Sequence, residues 1–337
     1  MSNFTTGALI LHVAIEKFAL KEPFHITGHT MVDTDVITVT LEEGGHIGRG
    51  EASGVYYRKD DDAASVVKQI EAVRARIEAG IDRESLQRLL PTGGARNAVD
   101  CALWDLEAKL TGRPAWQIAG LDRPRPLLTT FTVGANKPEK MASDARAYAD
   151  AKAIKLKLTG EPLDADRVRA VRAARPDVWL GVDANQGFTR AALEALMPVL
   201  IECRVELIEQ PFRVGQEAQL DGFKSPIPVA ADESAQGLTD VRGLVGRFKV
   251  VNIKLDKCGG LTEALAMARE ARRLDLDVMV GNMVGTSLAM APSWLVGQMC
   301  KVVDLDGPVF LSTDRDIAAR YSDGFISCED MPWGNSG

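Results

Sequence analysis

A chain of 337 residues with 46% hydrophobic and 26% charged residues has an ordinary globular composition and is long enough for one large barrel or two domains around a sizeable core. Its net charge of −7 gives no reason to expect nucleic-acid binding, which usually needs a basic patch. The apolar run 8–15 contains His12 and is too short to span a bilayer; with no basic region before it and no small-residue cleavage site after it, neither a membrane partner nor a secretory signal is expected. The five cysteines are scattered, odd in number and without Cys-x-x-Cys spacing. They read as free thiols in a reducing compartment, so the cytoplasm is the expected location.

The first 122 residues form an α+β pattern. Segments 13–20 and 35–41 alternate apolar and polar residues, as antiparallel strands with one wet face do. Glu42-Glu43-Gly44-Gly45 makes a turn leading into Ile47-Gly48-Arg49-Gly50-Glu51. Segment 63–79 carries Val66, Val67, Ile70, Val73 and Ile77 at helical spacing. A second helix is predicted over 95–110, with Val99, Ala102, Leu103, Leu106 and Leu110 buried and Gly112 and Pro114 ending it. From residue 129 strand and helix alternate. Apolar runs recur at 130–133, 153–158, 179–183, 205–208, 228–231, 250–255, 277–280 and 302–305, with helical patterns such as 164–174, 190–201 and 262–274 between them. This rhythm predicts an α/β fold, a (β/α)7β TIM-like parallel barrel over 123–309. The tail 310–337 falls outside it and is expected to fold back onto the N-terminal capping domain 1–122.

Charged residues sit near the ends of these runs: Lys155 and Lys157 in Ala-Ile-Lys-Leu-Lys-Leu, then Asp183, Glu209, Asp232, Lys254 and the pair Asp304/Asp306. From Lys157 to Lys254 the steps are 26, 26, 23 and 22 residues, about one βα unit each. Charges at the ends of successive parallel strands converge on one spot in a barrel, and that spot reads as an active site. Lys155 and Lys157 share one strand face. Mutual repulsion and desolvation would lower their pKa values, as a general base near neutral pH requires, although an isolated Lys-x-Lys is more often a surface pair. A lone Asp at a strand end is usually a helix cap. Three carboxylates on three strands, with no histidine or cysteine cluster, instead suit a hard cation, most simply Mg²⁺. Asn185, two residues past Asp183, and Asp256, two past Lys254, are expected to support the ligands and the lysine. Strands two and six of an eight-strand circle lie on opposite walls, so Lys157 and Lys254 can face each other across the metal. A carbon acid between them can lose a proton on one face and gain one on the other, which favours racemisation or epimerisation through an enediolate.

The order Lys-x-Lys, Asp-x-Asn, Glu-Gln-Pro, Asp-Glu-Ser, Lys resembles the muconate-lactonizing-enzyme subgroup of the enolase superfamily, in which a lysine base works with Mg²⁺ at an enediolate. Ala-Arg-Asn-Ala-Val-Asp-Cys-Ala-Leu-Trp-Asp-Leu (95–106) is similar to that subgroup's capping-domain helix, and Gly-Arg-Gly-Glu-Ala (48–52) to its second capping loop. The resemblance covers nearly the whole chain. It implies Lys157 and Lys254 as bases on opposite faces, Lys155 as their carboxylate-facing neighbour, and Asp183, Glu209 and Asp232 as Mg²⁺ ligands.

Within the subgroup, Asp304-x-Asp306 looks like the dipeptide epimerases, where this pair binds the substrate's α-ammonium; two carboxylates hold a cation well. The bland alternative is a turn before Gly307-Pro308. Such an enzyme inverts the α-carbon of the C-terminal residue of a dipeptide. Epimerases acting on Ala-Glu carry an arginine on the first capping loop, and the alignment of Pro23-Phe24-His25-Ile26-Thr27-Gly28-His29-Thr30-Met31 puts Met31 there. Methionine adapts to apolar groups and cannot pair with a carboxylate. With Tyr56 and Tyr57 on the second loop, an apolar or broad side-chain preference is expected. Met283, in the segment 281–287 that lacks a glutamate some relatives carry, is a further candidate for substrate contact. Arg58 and His29 are left as substitutes for the missing arginine. Rival chemistries on the scaffold are muconate cycloisomerisation, o-succinylbenzoate synthesis and N-acylamino acid racemisation, none with a free α-ammonium; a barrel that only binds ligand is a further alternative. Homo-oligomerisation is left open.

Overall fold

The computed structural model of the protein describes residues 9–26 and 29–336, apart from the side chains of Ile26 and His29. Three antiparallel strands come first, β1 (Ile10–Ile26), β2 (His29–Glu43) and β3 (His46–Ser53), with β2 in the middle. Gly44 and Gly45 join β2 to β3 with φ of +57° and +82°, the left-handed pair that a tight two-residue hairpin requires. β1 and β2 run beyond the alternating segments, because pairing resumes after an irregularity between Ala19 and Phe24 and brings Phe24 opposite Met31.

The predicted helix 63–79 is two helices, Ala63–Ala72 and Arg74–Glu78, broken where Val73 leaves helical geometry at φ −117° and ψ 8°. A further short helix, Arg83–Leu89, starts at Asp82, whose side chain accepts from the Ser85 amide. Helix Gly94–Thr111 buries every residue from Gly94 to Leu106 and ends at Gly112, φ +63°. Strand β3 packs so closely on it that a Cβ at Gly50 would stand 2.0 Å from the Ala98 carbonyl oxygen. Leu110 is an exception to the sequence reading: it is 36% exposed, because the last helical turn emerges from the packed layer.

After a short strand β4 (Leu127–Leu128) come eight parallel strands: β5 (Phe131–Val133), β6 (Ala153–Lys157), β7 (Trp179–Asp183), β8 (Leu207–Glu209), β9 (Val229–Ala231), β10 (Val250–Ile253), β11 (Asp277–Val280) and β12 (Val302–Val303). They neighbour one another in chain order, and the Thr130 amide donates to the Val303 carbonyl at 2.9 Å, linking the first strand to the last. The fold class is therefore the α/β barrel with an antiparallel capping sheet that the sequence predicts. Two gaps depart from the rhythm: β8 and β9 are followed only by the 3₁₀ turns Glu217–Leu220 and Val241–Leu244. Inside the barrel Leu207, Ala230, Val250 and Met279 pack together. Period two then puts Glu209 above Leu207 and Asn252 above Val250, so an apolar layer floors the polar one.

In the tail, β13 (Arg320–Ser322) and β14 (Phe325–Ser327) form a small sheet with β4, beside the barrel. Trp333 Nε1 donates to the Cys101 carbonyl at 3.2 Å and the Gly334 amide to Asp105 Oδ1 at 2.7 Å, tying the same tail to the capping helix. Among the described residues, no helix is long and apolar enough to cross a membrane.

Candidate active site

Register delivers the charges to one level. Lys157 on β6 is opposite Asp183 on β7, and Asp183 is opposite Glu209 on β8. Asp232 follows the last residue of β9. One oxygen from each of Asp183, Glu209 and Asp232 lies within 4.8 Å of the others, and all three residues are buried. Three converging carboxylates are the donor set a hard divalent cation takes, so this triad fits Mg²⁺.

Each carboxylate is held by a lysine. Lys157 Nζ donates to Asp183 Oδ2 at 2.6 Å, Lys254 Nζ to Asp232 Oδ2 at 2.8 Å, and Lys155 Nζ to Glu209 Oε2 at 3.2 Å. β6 and β10 are four strands apart in the barrel order, and Lys157 and Lys254 line the same small cavity of about 80 Å³. Glycine at 281 leaves room for this arrangement: a Cβ there would stand 2.9 Å from both Lys254 Cε and Asn252 Oδ1. Burial alone would lower the pKa of Lys155 and of Lys254. Instead Asp304, Glu209 and Asp183 raise the first, and Asp232 and Glu209 raise the second. For Lys155 this corrects the expectation of a lysine depressed by a neighbouring ammonium: the carboxylates around it outweigh both burial and the Lys254 charge. Burial, with Asp183 beside it, pushes Glu209 up to about 7. Asp232 goes the other way; burial would raise it, but Lys254 and Lys257 hold it well below the usual carboxylate range.

Further residues support the carboxylates, among them Asn252, which period two places on the same strand face as Lys254. Lys257, fully buried, donates to Asp232 Oδ1, to the Asp232 carbonyl and, at 3.1 Å, to the Asn252 carbonyl. Asn252 Nδ2 donates to Glu209 Oε1 at 2.6 Å. Gln210, held at φ +34°, accepts from the Asp232 amide at 2.9 Å and donates to Ser234 Oγ at 2.8 Å, so it locks the end of β8 to the end of β9. Glu233 lines the cavity with a buried Oε2 that has no hydrogen-bond partner among the described residues. The spacing of Glu-Gln-Pro and Asp-Glu-Ser contained Gln210 and Glu233; Lys257 lies in a helical turn, where strand periodicity carries no signal.

The Asn185 amide donates to Asp183 Oδ1 at 2.8 Å, and its side chain lines the cavity. Asp256 is elsewhere. The strand ends at Ile253 and the turn Leu255–Cys258 rotates Asp256 toward the capping region, where it accepts from the Ser53 amide at 2.9 Å and Asn97 Nδ2 at 3.1 Å. Burial pushes Asp256 up to about 7. A folded-state pKa above the unfolded value near 3.9 gives stability that is full below pH 4 and lost as pH rises through 7. Asp256→Asn keeps an acceptor for both donors without the titration. Thermal unfolding of the two proteins between pH 4 and 8 should show wild type losing stability relative to the variant, by about 4 kcal/mol at most. Parallel pH profiles would contradict this.

Asp304 and Asp306 are brought to β5 rather than to the cavity lining. Asp304 accepts from Lys155 Nζ and Thr130 Oγ1, and Asp306 from the Thr132 amide at 2.6 Å. Asp304 is lowered, since Lys155 outweighs its burial, whereas burial and the Asp304 charge push Asp306 up to about 7. Met31, Tyr57 and Met283 all line the cavity, with Phe24 and Tyr56. Arg58 does not: its guanidinium is engaged by Gln236 Oε1 at 2.7 Å, by the Lys257 carbonyl at 3.0 Å and by Asp61 at 3.7 Å. The His29 side chain lies outside the described residues.

Two family models match: the mandelate racemase / muconate lactonizing enzyme N-terminal domain over residues 9–120 and the enolase C-terminal domain-like model over 140–327. The L-Ala-D/L-Glu epimerase of Escherichia coli is 40% identical over 92% of this chain and 96% of its own length. An enolase family member from Agrobacterium tumefaciens, solved with sodium and L-Ala-L-Glu, superposes with a TM-score of 0.91 at 41% identity, covering 94% of this chain and 97% of that one. A dipeptide epimerase from Enterococcus faecalis, complexed with Mg and L-Leu-L-Tyr, gives a TM-score of 0.86 at 27% identity over 94% and 95%. With a triad of carboxylates flanked by lysines at the mouth of its barrel, the chain belongs to the muconate-lactonizing-enzyme subgroup of the enolase superfamily and is similar to its dipeptide epimerases.

Proposed function

We propose that this protein is a Mg²⁺-dependent dipeptide epimerase that inverts the α-carbon of the C-terminal residue of an L-Ala-X-type dipeptide. The reading rests above all on Lys157 and Lys254, four strands apart, each bonded to one carboxylate of the triad and both lining one cavity. Asp183, Glu209 and Asp232 would hold the ion, as the Mg-bound relative supports. When bound, Mg²⁺ would offset the carboxylate charge that raises Lys254 and offer positive charge to the substrate carboxylate. Lys157 removes or returns the α-proton on one face, Lys254 does so on the other, and Lys155 presents its charge toward the substrate carboxylate. Asp304 and Asp306 are assigned the α-ammonium; because they lie behind the cavity lining, held by Lys155, Thr130 and the Thr132 amide, this role requires the cavity to open toward them. The cavity of about 80 Å³ is smaller than the roughly 300 Å³ typical of ligand sites, so admitting a dipeptide requires its lining to open.

Phe24, Met31, Tyr56, Tyr57 and Met283 give the cavity an apolar side, and no arginine lines it among the described residues. We therefore read the second-residue preference as apolar or broad. Met31→Arg should raise kcat/KM for L-Ala-L-Glu relative to L-Ala-L-Leu by about tenfold or more, the worth of a new charge-assisted hydrogen bond. An unchanged ratio would mean that Met31 does not set specificity.

In this reading the chain divides into a capping segment 1–122, a barrel 123–309 and a tail 310–337. A cytoplasmic location is supported by five unpaired cysteines. The substrate class is tested by comparing kcat/KM on L,L-dipeptides with that on N-acylated amino acids. Turnover of the dipeptides supports the proposal, and racemisation of the N-acyl compounds alone would overturn it.

A further inference from the structure

Arg315 lies in the tail, yet it binds four parts of the chain. Nη1 donates to Glu16 Oε2 on β1 at 2.7 Å, Nη2 to Thr38 Oγ1 on β2 at 3.1 Å and to Glu51 Oε2 on β3 at 2.8 Å, and Nε to Thr286 Oγ1 at 2.9 Å. Glu51 is 1% exposed and spends its other bonds on Thr286: Oε1 accepts from the Thr286 amide at 2.7 Å, and Oε2 from its hydroxyl. The neighbouring Asp314 accepts from the Ser287 amide at 2.9 Å and from Ser287 Oγ. Two tail residues thus fasten the start of the helix after β11.

The segment immediately before Thr286 forms part of the reaction cavity, through Asn282, Met283 and Val284. Two capping hydroxyls reach the same segment, since the Val284 carbonyl accepts from Thr34 Oγ1 at 3.1 Å and Ser53 Oγ at 2.9 Å. Thr34 and Ser53 line the cavity too. The wall bearing Met283 is therefore gripped at two points on its C-terminal side, by the capping hydroxyls at Val284 and by the Glu51–Arg315 pair at Thr286. A buried carboxylate holding an amide, a hydroxyl and a guanidinium together fixes their relative positions to within hydrogen-bond tolerance.

We infer that Arg315 is a positioning residue for substrate specificity: acting through Glu51 and Thr286, it sets the segment 282–286 against the capping strands and so determines how tightly the substrate's second side chain is held. The inference rests on the epimerase reading for the identity of the substrate. It does not depend on it for the clamp itself.

Three variants test the inference. Arg315→Ala removes the fork, Arg315→Lys keeps the charge but not the fork, and Thr286→Val removes the hydroxyl bonds to Glu51 and Arg315, together with the 3.3 Å helix cap on the Leu288 amide, while keeping the shape and the Thr286 amide. Arg320→Ala, an exposed tail arginine whose acidic partner Asp330 is 3.9 Å away, is the control. Steady-state kinetics on a dipeptide that the wild type epimerises are combined with amide hydrogen exchange of segment 282–287. Arg315→Ala and Thr286→Val should raise KM about tenfold with kcat changed less than threefold, and should speed exchange of the segment. Arg315→Lys should recover part of both effects, and Arg320→Ala should match wild type. Unchanged KM with unchanged exchange overturns the inference, as does a kcat loss equal to the loss in kcat/KM. If Arg315→Ala does not fold, Thr286→Val decides by the same criteria. A wild type that epimerises no dipeptide refutes the functional reading, while hydrogen exchange still decides whether the clamp holds the segment.

Discussion

Replacing Lys157 or Lys254 with methionine is expected to lower epimerisation about 10³-fold or more, the upper part of the range for losing a general acid–base group. Neither variant should be chemically silent. With Lys254→Met, the epimer whose α-hydrogen faces Lys157 should still exchange that hydrogen with solvent deuterium, and Lys157→Met should exchange the opposite epimer. The pattern follows from two lysines on walls four strands apart, one anchored on Asp183 and the other on Asp232. Methionine keeps the apolar stem but leaves a buried carboxylate with one donor fewer, a loss that can cost about 3–5 kcal/mol. Lys257 remains on Asp232 and Lys155 lies 3.9 Å from Asp183, so both variants should fold. Thermal unfolding of each variant checks this before kinetics are interpreted. If both single variants keep turnover, the two-base scheme is wrong.

Removing the metal should be comparably severe. Chelation is expected to abolish proton exchange as well as epimerisation, because without the cation the three carboxylates remain bonded to their lysines and nothing stabilises charge on the substrate. Asp183→Asn should weaken Mg²⁺ binding strongly, and calorimetric titration reads this without reference to activity. Saturating Mg²⁺ at about 100 times its Kd should stabilise the wild type by about 2.7 kcal/mol and the Asn variant much less. Equal stabilisation of both would remove Asp183 from the ligand set, and full activity in chelator would remove the metal from the reaction.

Much of this site is legible in the sequence because a parallel barrel converts even spacing into convergence. Lys157, Asp183 and Glu209 fall in register across β6, β7 and β8, and near-equal steps along the chain are what such a register produces. The same regularity misleads where it stops. Period two carries Asp256 to the side of Lys254 only if the strand continues, but a helical turn begins at Leu255 and turns the carboxylate toward Ser53. Lys257 goes unnoticed for the same reason. The lysine pKa directions depend on charges from other strands, so a view limited to the Lys-x-Lys pair saw the repulsion and missed the stronger attraction. The long reach of β1 and β2, which carries Phe24 and Met31 to the cavity, rests on pairing beyond an irregularity that alternation cannot cross. The Arg315 clamp joins residues more than 260 positions apart in sequence, and no local pattern announces it.

The central claim is that two lysines and a carboxylate-bound cation invert the α-carbon of a dipeptide's C-terminal residue. Incubating the purified protein with Mg²⁺ and a set of L,L-dipeptides in D₂O, then resolving epimers by chromatography and mass spectrometry, tests it most directly. The expected result is an L,D product one mass unit heavier, with deuterium at the inverted carbon, formed best from dipeptides with an alanine-like first residue and an apolar second one. Exchange confined to Ala-Glu would leave the reaction standing and refute the assignment of Met31; no mass gain in any dipeptide would contradict the account.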